Sequence, residues 1–489
     1  MKEGSLFLTA PEPSLGILQE LTTAAGLVFR DQPPVDSRGL SVGTAGMGGG
    51  APEVVVEPTR ASWPPLNAPQ EWAGILQESL DQESLVLSGY EACTRLHGVR
   101  DTVSHSHYAA WLGNKFAGFP VMNLLAQRFQ KQVLTAAEEH GVRLKQVPRW
   151  PPGKQYAVLL THDIDYLSQF SLENARIFLG VALSPGSRET GSLSFARRLV
   201  NIIKAAIQVR GVLGRRLWGG RDRFWRNLEQ LIDLEHRQGV RSTFFVAPFP
   251  EKGDRDPPYT CRSSFYFGGA EVKFLEWLRW VRSHGWEVGL HGSLSSSCSP
   301  ERMKSEAEFM CGILGEKRLG NRQHCLSFKA GDTERVHANA EFLYDSSLGY
   351  NERLGFRNSA ALPFYPRFGE AGNGARVLQI PLVIHDSVFY NLPYNEAKAL
   401  ADSWKIIEEL KRHQGCGAIL FHPCSNDGDK WQMMYGIYQD LLARLLQDET
   451  VWLTTAGELS RWWQTRSSLC AETDCPAPKP MEQGWQDEV

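Results

Sequence analysis

The 489-residue sequence predicts an α/β protein. Its larger part reads as a parallel sheet wrapped in helices, with a smaller N-terminal α/β accessory domain. Three observations carry that expectation. From residue 155 onward, short apolar runs alternate with helical runs of about 10–20 residues, the pattern of βα units. About seven such units follow one another, which favours a barrel over an open sheet. Before residue 150 the texture differs: a Gly- and Pro-rich stretch, "SVGTAGMGGGAPEVVVEPTRASWPPLNAP", precedes a break at "VPRWPPG". The domain boundary is placed at that break.

Bulk composition narrows the class. With 42% hydrophobic and 22% charged residues, the chain reads as soluble and globular. A net charge of −3 offers no broad attraction to nucleic acid. No apolar run reaches the ~18–20 residues that span a bilayer. The N-terminus "MKEGSLFLTAPEPSLGILQE" lacks the sustained apolar core of a secretory signal. Nine scattered cysteines without Cys-x-x-Cys spacing fit free thiols in a reducing compartment, so a cytoplasmic location is expected.

In residues 1–150, Val54–Val56 is a short strand candidate, and the glycine run is a loop because it lacks the Gly-Lys-Ser/Thr of a phosphate loop. His97, His105 and His107 have no local metal-binding partner and read as surface or interface residues. "MNLLAQRFQKQVLTAAEEHGV" has helical spacing. Residues 151–466 then give strands at "YAVLLTHD", "RSTFFVAPF", "WEVGLHG", "NRQHCLSFKAG", "VLQIPLVIHDS", "CGAILFHP" and "VWLTT". Helices fall between them, among them "RDRFWRNLEQLIDLEHRQGV", "EVKFLEWLRWVRSHG", "SPERMKSEAEFMCGILG" and the closing "AGELSRWWQTR". Trp277 and Trp280, three apart on one helix, read as packing residues. An insertion at about 170–222 separates the first strand from its helix. Its segment 190–221 holds seven arginines and lysines and no acid, and "FARRLVNIIKAAIQVRGVLGRRLW" is a basic amphipathic helix candidate. Such a helix can pack on the barrel with a solvated basic face, grip an acidic polymer, or make peripheral contact with an anionic membrane. Residues 467–489, polar and acidic with prolines, read as a disordered tail.

In parallel α/β sheets the site lies at the carboxyl ends of the strands. Those ends carry His162-Asp163-Ile164-Asp165, His291, Arg322-Gln323-His324, His385-Asp386 and His422. Asp163 and Asp165 are two apart, so an ideal strand puts both on one side. One carboxylate can hold a metal while its neighbour acts as a base. His291 supplies an imidazole suited to zinc, and a hydrolytic zinc site needs about three protein ligands and an open position. His422 is a general-acid candidate, Asp386 its orienting acid, and Arg322 a group that orients an acid or neutralises charge.

"THDID", "EVGLHGS", the Arg-bearing strand, "IPLVIHDS", "AILFHP" and the closing "VWLTTAGELSRWW", in that order, resemble the polysaccharide deacetylases, the NodB-homology fold of carbohydrate esterase family 4. The resemblance covers about residues 155–465 and is closest to the bacterial branch with Thr-His-Asp-x-Asp as first motif. It implies a deformed (β/α) barrel and metal-assisted removal of an acetyl group from an N-acetylated sugar or glycan precursor. By resemblance, Asp163 matches the base, Asp165 and His291 metal ligands, Arg322 the arginine that positions the base, Asp386 the acid that tunes the late histidine, and His422 the general acid. The chain departs from the family pattern at Ser295, where the second metal histidine is expected. A hydroxyl is a poor zinc ligand. His324, two residues beyond Arg322, is the first candidate replacement and His162 the second. The implied cofactor is a divalent metal, zinc by expectation. The loop "GYNERLGFRNSAALPFYPRF" is expected to wall the cleft, with Arg357 and Phe364 as substrate-binding candidates. Two other readings stay open: another C–N hydrolase on the same barrel, such as a cyclic amide hydrolase, and a non-catalytic carbohydrate-binding protein.

Overall fold

A computed structural model describes residues 2–3, 5–9, 14–30, 39–43, 53–55, 69–82, 86–94, 117–183, 195–218, 222–248, 256–329, 331–367, 377–391, 394–423 and 428–471. His97, His105, His107, the glycine run and the tail beyond residue 471 lie outside the described residues.

The apolar run Tyr156–Ile164 forms the central strand β1, buried along its whole length. The sheet continues with β2 (Thr243–Val246), β3 (Glu287–Gly292), β4 (Gly320–Gln323), β5 (Tyr344–Asp345), β6 (Leu378–Gln379), β7 (Leu382–His385), β8 (Cys416–Leu420) and β9 (Val451–Thr454). Every pairing in it is parallel, in the order β6-β5-β4-β3-β2-β1-β8-β7, with β9 also on β1. The ends of that path, β6 and β7, are consecutive in the chain with only Ile380 and Pro381 between them. The sheet therefore curls so that its two end strands share one covalent corner, an irregular (β/α) half-barrel of NodB type. Pro381 explains why "VLQIPLVIHDS" is two short strands rather than one, because proline breaks the ladder.

The insertion forms α1 (Leu172–Leu183) and α2 (Phe195–Trp218). The barrel helices are α3 (Arg223–Arg237), α4 (Phe274–Ser283), α5 (Pro300–Leu314), α6 (Thr333–Asn339), α7 (Glu396–Arg412), α8 (Gly428–Leu446) and α9 (Ala456–Cys470). Local chemistry sets their starts. Asp222, Ser299, Asn395 and Thr455 each cap a helix by accepting from a backbone N–H of its first turn. The "EVK" expected to open α4 pairs instead with Ser264–Phe267 in an antiparallel hairpin. Helix α9 runs to Cys470, beyond the expected start of the tail. Among the described residues, no helix is long and apolar enough to cross a membrane.

Strand alternation divides the core in two. Tyr156, Val158, Leu160 and Ile164 of β1 pack outward with the helices, among Trp225, Leu228 and Tyr438. Ala157 and Leu159 point inward, into a cluster that also holds Leu6, Leu18, Phe129 and Trp150 of the N-terminal segment. That segment carries its own parallel sheet, ordered Phe29–Arg30, Ser5–Thr9, Gly39–Gly43, Glu53–Val55. Its apolar residues join the barrel interior at the end where the strands begin. The polar residues gather at the other end.

Candidate active site

The inward face of β1 continues from Leu159 through Thr161 to Asp163, and Asp165 follows one residue past the strand. Arg322, on β4, is fully buried and organises this face. Its Nη1 donates to Asp163 Oδ1 and to Thr161 Oγ1, both at 2.9 Å. Its Nε donates to the Ser346 carbonyl and its Nη2 to Ser346 Oγ, both at 3.1 Å. The guanidinium lies 4.4 Å over the Phe245 ring. Gly289 makes room for that ring: a Cβ there would come within 2.8 Å of it. Burial by itself would raise the Asp163 pKa, but Arg322, His291 and His422 outweigh it and hold the carboxylate below its ordinary value.

Three donor atoms meet beside Asp163. His291 Nε2 and His324 Nδ1 are 3.0 Å apart. They stand 3.4 and 3.5 Å from Asp165 Oδ1, long for good hydrogen bonds. That oxygen is buried and has no hydrogen-bond partner. His291 Nδ1 donates to the Arg322 carbonyl at 2.9 Å, which orients the ring and turns Nε2 to the centre. A tetrahedral cation with bonds of about 2.0–2.2 Å spaces its donors by about 3.3–3.6 Å. Two sides of the triangle, at 3.4 and 3.5 Å, match that spacing and the third, at 3.0 Å, is slightly short of it; the mixture of two imidazoles and one carboxylate suits a zinc-like ion.

On the far side, Asp386 holds His422. Its Oδ1 accepts from His422 Nδ1 and its Oδ2 from the His422 backbone N–H, both at 2.7 Å. His422 Nε2 is thereby aimed at the centre, 3.6 Å from Asp165 Oδ2. Burial opposes protonation of this ring, but Asp386, with Asp165 and Asp163 behind it, raises its pKa to about 10. His385, whose ring lies 5.4 Å from that of His422, is pushed down to about 4 by burial and by the His422 charge. His385, Asp386 and His422 form a second grouping of possible metal-binding atoms. There, however, both Asp386 oxygens already accept hydrogens from His422.

Asp163, Asp165, His291, Arg322, His324, Asp386 and His422, drawn from five strand ends, are thus brought to one rim. Three other sequence candidates are placed elsewhere. His162 faces away, because the side chains of a strand alternate. Its Nδ1 meets the Phe421 carbonyl at 2.7 Å and its Nε2 meets Glu235 Oε1 at 2.8 Å, so it is not at the triangle. Arg357 is buried and donates to the Gly349 carbonyl at 2.7 Å. Phe364 is a core residue whose backbone pairs with Gln379, so it does not wall an open cleft. Ser295 is exposed in the turn after β3. Thr161 and Ser346, which hold Arg322, were missed. For Thr161 the signal was available in its two-residue spacing from Asp163.

The fold and site together define a parallel (β/α) barrel with a carboxylate–histidine centre at the C-terminal rim. Among solved structures, the chain is similar to a protein of Mycobacterium smegmatis provisionally described as a polysaccharide deacetylase, at 18% identity and a TM-score of 0.41, over 65% of this chain and 93% of that one. It is also similar to one of Pseudomonas aeruginosa PAO1 with the same provisional description, at 14% identity and a TM-score of 0.40, over 65% of this chain and 95% of that one. No protein-family model and no curated protein matches the chain.

Proposed function

We propose that the protein is a metal-dependent amide hydrolase that removes an acetyl group from an N-acetylated sugar or glycan precursor. The observation that carries this reading is the donor triangle of Asp165, His291 and His324, set between Asp163, held by Arg322, and His422, held by Asp386. Zinc is the ion the donor set suits best. Bound there, a divalent cation would polarise the amide carbonyl and acidify a water. The rest falls to the side chains. Asp163, kept ionised and fixed in place by Arg322, takes the proton of the attacking water. His422, protonated and aimed by Asp386, gives a proton to the departing amine. The products are acetate and the free amino sugar. Burial of the whole group strengthens each of these interactions relative to water.

Metal analysis joined to an acetate-release assay tests the reading. His324→Ala is expected to lose the bound ion and to lower acetate release at least about a hundredfold, the scale of a lost ligand or oxyanion donor. Ser295→Ala is expected to change neither. A His324→Ala protein that keeps its full metal content would remove His324 from the ligand set. Stoichiometric metal without acetate release from any N-acetylated sugar would instead favour a different C–N bond as substrate.

A further inference from the structure

The insertion after β1 is built inside out. Helix α2 turns Asn201, Ala205, Gln208 and Val212 inward, and Gln208 Oε1 accepts the Ser171 N–H at 3.0 Å. The opposite face carries Leu199, Ile202, Ile203, Ile207, Leu213 and Leu217, each between 45% and 71% exposed. At 100° per residue these six cover roughly a third to a half of the helix surface. Among the described residues, 11 of the 17 exposed large apolar side chains belong to α1 and α2. An open apolar trough of ≈ 620 Å³ runs between Leu179 of α1 and Ile202, Leu213 and Leu217 of α2. An apolar surface of this extent calls for a covering partner.

Charge selects the partner. Helix α2 carries Arg197, Arg198, Lys204, Arg210, Arg215 and Arg216 and no acid. A second copy of the helix would bring like charges together, and an acidic polymer would leave the aliphatic face wet. An anionic bilayer surface satisfies both faces, since aliphatic side chains enter the acyl boundary while lysine and arginine meet the headgroups. The hairpin is also rooted beside the site. Both ends of the insertion are pinned where Gln169 N–H donates to the two Asp222 oxygens at 3.0 and 2.9 Å, four residues beyond Asp165.

We propose that the α1–α2 hairpin is an interfacial anchor that seats the active-site rim on an anionic membrane. The associated substrate class, which rests on the hydrolase reading, is an N-acetylated sugar carried on a membrane-embedded lipid. Flotation of the full chain with vesicles tests the anchor without reference to catalysis. The protein is expected to float with phosphatidylcholine vesicles containing phosphatidylglycerol and to stay down with phosphatidylcholine alone. Lys204→Glu/Arg210→Glu is expected to weaken binding by more than about tenfold. Ile203→Asp/Ile207→Asp, at exposed positions that leave the fold untouched, is expected to abolish flotation. A wild type that ignores anionic vesicles overturns the proposal. So does a sedimentation result in which wild type is a dimer that the isoleucine double variant converts to monomer, since a second copy would then cover the face. For the substrate class, the isoleucine variant is expected to keep acetate release from a soluble N-acetylated oligosaccharide and to lose it from an N-acetylated glycolipid in vesicles. Wild-type failure on both substrates counts against the hydrolase reading alone, while flotation still decides the anchor.

Discussion

At the scale of single residues, the strand-end motif divides its polar groups between two jobs. Asp163 and Asp165 go to the rim, and His162 goes to a buried network with Glu235. That carboxylate takes His162 and Tyr438 on Oε1, and Ser242 and Trp286 on Oε2. Burial alone would raise the Glu235 pKa, but His162 and these hydrogen bonds hold it below the ordinary value. His162→Phe keeps the ring volume and strips Glu235 of one partner. It is expected to lower stability by about 3–5 kcal/mol, the cost of breaking a buried pair from one side, and to leave metal content unchanged. Urea denaturation and metal analysis on one preparation check both halves. Unchanged stability with lost metal would return His162 to the ligand set. The residues of the rim were legible in the sequence because each stands at a strand end. The split between Asp163 and His162 was legible too, through period-two alternation, although His162 was still weighed as a ligand. Ser346 was not legible, since its role depends on a β5 of only two residues.

At the scale of elements, the strand–helix order was readable because apolar runs and caps mark it, and the departures have local causes. Pro381 cuts one strand, and the Gly268-Gly269 turn converts the start of a helix into a hairpin, both glycines having positive φ. The strand "GNRQ" is the harder case, because all four of its residues are buried. Arg322 serves the site, while Asn321 and Gln323 face outward and are answered by Asp345 and His337. Helix α6 closes this polar layer with Glu334, which is almost wholly buried and accepts the Gly331 N–H at 2.6 Å. Burial pushes the Glu334 carboxyl up to about 8, from about 4.5 when free. Its contribution to stability is therefore complete below about 4.5 and lost as pH rises through about 8. The urea midpoint of the wild type is expected to fall between pH 6 and pH 9, and Glu334→Gln, which cannot ionise, is expected to flatten that fall. Equal slopes for the two proteins would show that Glu334 is ionised throughout.

At the scale of the whole molecule, the composition shift near residue 150 marks a change of texture, yet the core runs across it. Inward-facing Ala157, Leu159, Phe245 and Tyr344 of the barrel belong to the same buried cluster as Leu6, Leu18, Val121 and Phe129. Hydrogen bonds sew the seam. Asn123 accepts from Ala361 N–H and donates to the Ala361 and His413 carbonyls. Arg149 donates to the Ala24 carbonyl, and Arg466 of α9 donates to those of Thr23 and Pro148. Sequence could not reveal this, because nothing in a one-dimensional pattern says which core an inward-facing residue will share. Domains joined by small polar interfaces unfold separately, whereas parts with a common apolar core and buried cross-links unfold together. Calorimetry of the full chain is therefore expected to give one cooperative transition, with the calorimetric enthalpy matching the van't Hoff value. Asn123→Ala leaves the Ala361 N–H without its buried partner, while the Ala361 carbonyl keeps the Cys416 N–H and the His413 carbonyl keeps Arg149, at a cost of about 1–3 kcal/mol. It is expected to shift that one transition downward as a unit. Two resolved transitions, with only the first sensitive to Asn123→Ala, would mean that the N-terminal segment folds on the barrel without being part of its core.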